Sequence, residues 1–138
     1  LIDDNKTLQK EIEQLQKEKL QIVKKELKNQ IQHKDGISVL VANVEVANAD
    51  MLKQLSYELK GELQNLYLVL GAIINEKPLL SVMLSDELLK KGLNANNIIK
   101  EIAREINGGG GGQPFYATAG GKNPQGIENA LKKAQELI

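Results

Sequence analysis

The stretch INGGGGGQPFYATAGGKNPQG, residues 106–126, holds eight of the chain's twelve glycines. A backbone this bare constrains the fold more than any other part of the chain. A flexible linker would not carry Pro114, Phe115 and Tyr116 in its middle, and a phosphate loop needs more than glycine. Two physical readings stay open. Consecutive glycines expose N–H groups with no side chain in the way, so they can cradle an anion or lie flat against a large ligand. They also suit a tight helix-to-strand crossing that needs left-handed conformations.

The familiar nucleotide motifs are absent. A Walker loop requires glycine five residues before the Gly121–Lys122 pair, where Tyr116 stands, and Ser or Thr after Lys122, where Asn123 stands. In the dinucleotide fingerprint a third glycine would follow Gly108 and Gly110, but that position is Gln113, and a helical pattern precedes rather than follows.

The first 32 residues have a different texture. They contain no glycine or proline and are dominated by Lys, Glu, Gln and Leu, all good helix formers. Leu1, Leu8, Leu15 and Ile22 recur every seventh residue with Ile12 between them, a coiled-coil seam with mostly polar a positions. After Lys19 a second stripe begins at Leu20, Val23, Leu27 and Ile31. One long helix is expected, its first half facing another helix through Leu8, Ile12, Leu15 and Ile22. Its second half leans on the domain that follows. His33–Lys34–Asp35–Gly36 is expected to end it, with Gly36 in the left-handed C-terminal position.

Beyond this point the pattern changes repeatedly. Residues 37–46 (ISVLVANVEV) read as a strand and 48–63 as a helix capped by Asn48 or Asp50, with Met51, Leu52, Leu55 and Leu59 inward. Residues 66–74 and 79–85 read as strands joined by a turn at 75–78, and 86–91 as a short helical turn. Residues 94–106 read as a helix with Ile98, Ile99, Ile102 and Ile106 inward, PFYATA as a short strand, and 123–138 as a closing helix. The expected class is α/β (α+β): a coiled-coil-type helix over residues 1–34, then a mixed-sheet domain with packed helices and a glycine-rich loop over 35–138.

Composition narrows the function. Lys plus Arg and Asp plus Glu both number 18, so the overall charge points to no partner and any basic patch must be local. With no cysteine and one histidine, thiolate and histidine-cluster metal sites are not expected. No apolar run reaches membrane-spanning length. The chain begins at Leu1 without methionine, as expected for a piece of a longer protein.

The motif NGGGGGQPFYATAGG, residues 107–121, resembles the glycine-rich signature of the C-terminal (C-Ala) domain of alanyl-tRNA synthetases, within the wider DHH-associated domain family. Gly108, Gly110, Gly111, Gly112, Pro114, Ala117, Ala119, Gly120 and Gly121 fit that pattern, and the order of flanking elements fits as well. Asn107, Gln113, Phe115 and Thr118 depart from it; Gln113 stands where the family usually has arginine, the charge best suited to a phosphate.

The resemblance implies a tRNA-docking module that holds the outer corner of tRNA(Ala) to support aminoacylation and editing, in the cytoplasm. A homodimer contact through the N-terminal helix or the globular domain is implied too. Gly110, Gly111, Gly112, Gln113 and Lys122 are the implied RNA contacts. No catalytic residue, metal or cofactor is expected in this chain; ATP, Mg and Zn belong to other parts of such a synthetase. The rivals are the substrate-binding domain of a DHH-type phosphoesterase and a purely structural oligomerisation module. A free-standing editing protein with the same module is a third.

Overall fold

The computed structural model describes residues 2–46 and 48–137. Leu1 of the heptad series and Ile138 of the closing helix lie outside the described residues. Helix α1 (Ile2–Lys28) is followed by strands β1 (Gln32–Lys34) and β2 (Ile37–Asn43), helix α2 (Ala49–Glu62), and strands β3 (Leu66–Ile74) and β4 (Lys77–Leu84). Then come α3 (Asp86–Lys90), α4 (Ala95–Ile102), a 3-10 turn (Ala103–Ile106), strands β5 (Gly109–Gly112) and β6 (Tyr116–Gly120), and, after a second 3-10 turn (Pro124–Gly126), α5 (Ile127–Glu136).

The strands form one sheet in the order β1-β2-β3-β4-β6-β5. Only β2 and β3 are parallel, and α2 makes the crossover between them. Both faces are covered. Leu66, Leu68 and Leu70 of β3 meet Leu52, Leu55 and Leu59 of α2 and Leu20 and Leu27 of α1. Tyr67 and Val69 point the other way, into a cluster with Ile99 and Ile102 of α4 and Ala130 and Ala134 of α5. A strand buried on both faces reads as a continuous apolar run, which is why LYLVLGAII has no polar alternation. Each fully buried leucine here contributes about 1.5–3 kcal/mol.

The local chemistry explains the boundaries. Asn48 caps α2, its side-chain oxygen accepting from Met51 N at 2.9 Å. Asn94 does the same for α4, accepting from Asn96 N at 2.9 Å. The β3–β4 hairpin closes through Asn75 and Glu76, both left-handed at φ 52° and 66°. That pair of positive φ values makes a type I′ turn, which matches strand twist.

Three expectations change. The long helix stops at Lys28 rather than near residue 32, and Gln32–Lys34 joins the sheet as an edge strand. Gly36 is left-handed (φ 78°), but beside Asp35 (φ 51°) it closes a two-residue hairpin instead of a helix. Asp-Gly between extended segments is a strong hairpin signal, and here it prevails over helix propensity. The glycine run, expected as a loop, is strand β5.

Candidate nucleic-acid interface

Alternate residues of strand β5, Gly110 and Gly112, lie too close to β6 for side chains. In an antiparallel pair, the residues that do not exchange hydrogen bonds approach most closely, with Cα atoms about 4.5 Å apart. Gln113 N donates to Tyr116 O at 2.8 Å, which makes 113/116 a bonded pair and places Gly112/Ala117 and Gly110/Ala119 in the close positions. A Cβ on Gly110 would run into Thr118 O and Ala119, and one on Gly112 would sit 2.6 Å from Tyr116 O. None of residues 108–112 has positive φ, so left-handed conformation is not what selects glycine here.

That pairing decides which backbone donors face outward. Gly111 lies in the bonded register opposite Thr118. Gly112 N donates to Asn96 Oδ1 of α4 at 3.2 Å, and Gly108 N to Ala103 O at 3.0 Å. Of the three glycines expected to offer N–H groups, Gly110 and Gly112 turn their donors away from β6, and that of Gly112 is taken by Asn96.

Gln113 and Lys122 are both exposed but lie at opposite ends of the β5–β6 hairpin. Gln113 opens the turn Gln113–Pro114–Phe115–Tyr116, whereas Lys122 follows Gly120–Gly121 at the far end. At about 3.3 Å per residue the four-residue strand holds them more than 10 Å apart. They cannot grip one phosphate together. At the Lys122 end lies an open, mainly apolar cleft of about 480 Å³. Its lining includes Gly108, Gly120, Gly121, Lys77 and Lys122, with Ala49 at the start of α2.

At the Gln113 end stands a group that the glycine motif did not announce. Alternation would put Phe115 and Tyr116 on opposite faces of a strand, but Phe115 lies in the turn, and both pack on the α2 side of the sheet. Tyr57 of α2 meets Tyr116 with ring centroids 5.4 Å apart. Lys60 Nζ sits 4.5 Å over the Phe115 ring and Lys53 Nζ 6.0 Å from the centre of Tyr57. Burial, and secondarily Tyr57, push the Tyr116 phenol up to about 12. The sequence carried one signal of this group: Lys53, Tyr57 and Lys60 fall at i, i+4 and i+7 on α2, one helix face.

The helix-pairing residues also have a clear position. Leu8, Ile12, Leu15 and Ile22 are 54–63% exposed, while Leu20 and Leu27 on the same helix are buried against the domain. Among the described residues, no helix is long and apolar enough to cross a membrane.

A six-stranded mixed sheet edged by a glycine strand, with a leading helix, defines an α/β domain of known type. The DHHA1 domain matches residues 36–138, and the chain belongs to that family. It is 42% identical over its full length to an alanine–tRNA ligase of Cytophaga hutchinsonii and 44% identical over 99% of its length to one of Bacteroides fragilis. The chain spans 16% of the length of each of these relatives. Its fold matches the C-Ala domain of the Aquifex aeolicus alanyl-tRNA synthetase with a TM-score of 0.71, at 23% identity, covering 78% of this chain and 96% of that one.

Proposed function

We propose that this chain is the C-terminal tRNA-binding domain of an alanine–tRNA ligase acting in the cytoplasm, and that it docks tRNA(Ala) while catalysis takes place in other parts of the enzyme. The observation that carries the proposal is the side-chain-free edge strand β5 of the β5–β6 hairpin. The Gly110 donor is turned outward on it, and Lys122 stands at one end beside a cleft. A folded RNA offers a surface of sugars and phosphates, which a bare backbone can approach closely. Homology to alanine–tRNA ligases supports this partner over a phosphoesterase substrate, and the neutral Gln113 supplies no general acid. The exposed stripe of α1 is the proposed contact for a second copy.

Anisotropy titration of labelled tRNA(Ala), with duplex RNA as competitor, tests the assignment. Folded tRNA should compete well and plain duplex poorly. Equal competition by both would contradict a tRNA-docking role.

A further inference from the structure

The α2 side of strand β6 forms a continuous strip. Ala117 and Ala119 point into the core on the α4–α5 side, so Tyr116, Thr118 and Gly120 face the side of α2. Ala49 lines the cleft together with Gly120, whereas Tyr57 touches Tyr116 at the other end. Eight helical residues rise about 12 Å. Four strand residues, Gly120 back to Tyr116, span about 13 Å. Helix and strand therefore keep step, and the α2 face of Ala49, Lys53, Tyr57 and Lys60 runs alongside Gly120, Thr118 and Tyr116 as a shallow groove, with contact at its two ends.

The groove is locally basic in a chain with no net charge. Of the α2 carboxylates, Asp50 stands exposed in the first turn, whereas Glu58 and Glu62 are turned toward α1, held by Lys24 at 3.9 and 3.1 Å, with Lys28 at 3.2 Å from Glu62. Among the described residues, no ion pair engages Lys53, Lys60, Lys77 or Lys122. Lys77 and Lys122 stand at the cleft end and Lys53 and Lys60 beside the rings. Tyr57 is 43% exposed in a chain whose aromatics number only four, so much of its surface is left to solvent beside Tyr116 and Lys53.

We propose that this α2–β6 groove is the RNA track of the domain, with an unstacked base of the tRNA against Tyr57 and the flanking phosphates on Lys53 and Lys60 at one end and Lys77 and Lys122 at the other. The proposal rests on the tRNA-binding reading above and adds to it a place, a stacking residue and three lysines. Paired with an exposed ring, cations that lack carboxylate partners fit single-stranded or looped nucleic acid, because every base presents a π-face and every linkage a negative charge. At about 3.4 Å per stacked nucleotide, a length of about 12 Å takes roughly three nucleotides.

The test compares tRNA(Ala) affinity at several salt concentrations for the wild type, Tyr57→Ala, Tyr57→Phe, the Lys53→Gln/Lys60→Gln pair, and Lys132→Gln on the opposite side of the sheet. Thermal melts establish that each is folded. The groove predicts a loss on the order of tenfold for Tyr57→Ala and near wild-type binding for Tyr57→Phe, as stacking needs the ring and not the hydroxyl. The lysine pair should flatten the slope of log affinity against log salt by about 1.5, and Lys132→Gln should leave affinity and slope nearly unchanged. Wild-type binding that survives in both Tyr57→Ala and the lysine pair would overturn the groove and leave tRNA binding standing. An effect of the lysines without one of Tyr57→Ala would overturn the stacking. Failure of the wild type to bind any tRNA would remove the underlying reading, and the groove with it.

Discussion

A methyl group on Gly110 would meet Thr118 O and Ala119, whereas one on Gly109 would meet nothing within 4 Å. Neighbouring glycines in the same strand therefore behave differently. Gly110→Ala should lower stability by about 1–3 kcal/mol, the range for overpacking, and Gly109→Ala should stay within about 0.5 kcal/mol; urea midpoints at constant m decide between them. Gly111→Ala places its Cβ 2.8 Å from Asn96 Oδ1, so the side chain that accepts from Gly112 N has to shift. Asn107 stands where relatives in the family pattern carry glycine, and it is left-handed at φ 52°. Asparagine tolerates that conformation better than other side chains. Asn107→Ala should cost about 1 kcal/mol in the same assay, with Asn107→Gly near neutral. Tyr116 adds a pH dependence. Its folded pKa of about 12 lies above the ordinary 10.0, so its contribution is complete below pH 10 and is lost as pH rises through 12. Alkaline titration followed by tyrosinate absorbance should show this phenol ionising near pH 12 or together with unfolding.

Helix α1 contains two different halves, and their substitutions should separate. Leu20 and Leu27 are buried, so Leu20→Ala should destabilise the chain by about 2–5 kcal/mol. Leu8 and Leu15 are exposed, and Leu8→Lys/Leu15→Lys should leave the fold stable while abolishing any concentration-dependent dimer seen by sedimentation. A wild type that stays monomeric at high concentration with α1 still helical would contradict self-pairing. The dock of α1 on α2 also responds to acid. Lys24 and Lys28 hold the Glu62 carboxyl below its ordinary 4.5, so this contribution is present above pH 4.5 and lost as pH falls through the lower folded value. Because Glu62 and Lys28 are exposed to solvent, the effect is small. Much of this was legible in the sequence. The apolar run 66–74, the Asn48 cap and both stripes of α1 are local patterns, and local patterns are what a sequence displays. Strand β5 was not legible, since glycine disfavours strands and the close approach of β6, which requires it at Gly110 and Gly112, joins residues through tertiary packing. Nor was the Tyr57–Tyr116 contact, which joins two elements distant in sequence.

At the scale of the whole molecule, the two faces of the sheet do different work. The α4–α5 side seals one cluster around Tyr67, whose hydroxyl donates to Ala134 O at 2.7 Å. Burial raises the pKa of that phenol far out of the working range. The α1–α2 side is closed over β2, β3 and β4, and toward β6 it gives way to the strip of glycine, ring and lysine. A chain with balanced charge that binds RNA through a few local cations should depend on salt only moderately. Four lysines facing phosphates give a slope of log affinity against log salt of about −3, at roughly −0.7 to −0.9 per contact. Titration of tRNA(Ala) with the intact chain from low to physiological salt measures that slope. Saturable binding with a slope of about −3 is expected; absence of binding to any tRNA at low salt would rule out the RNA-docking role.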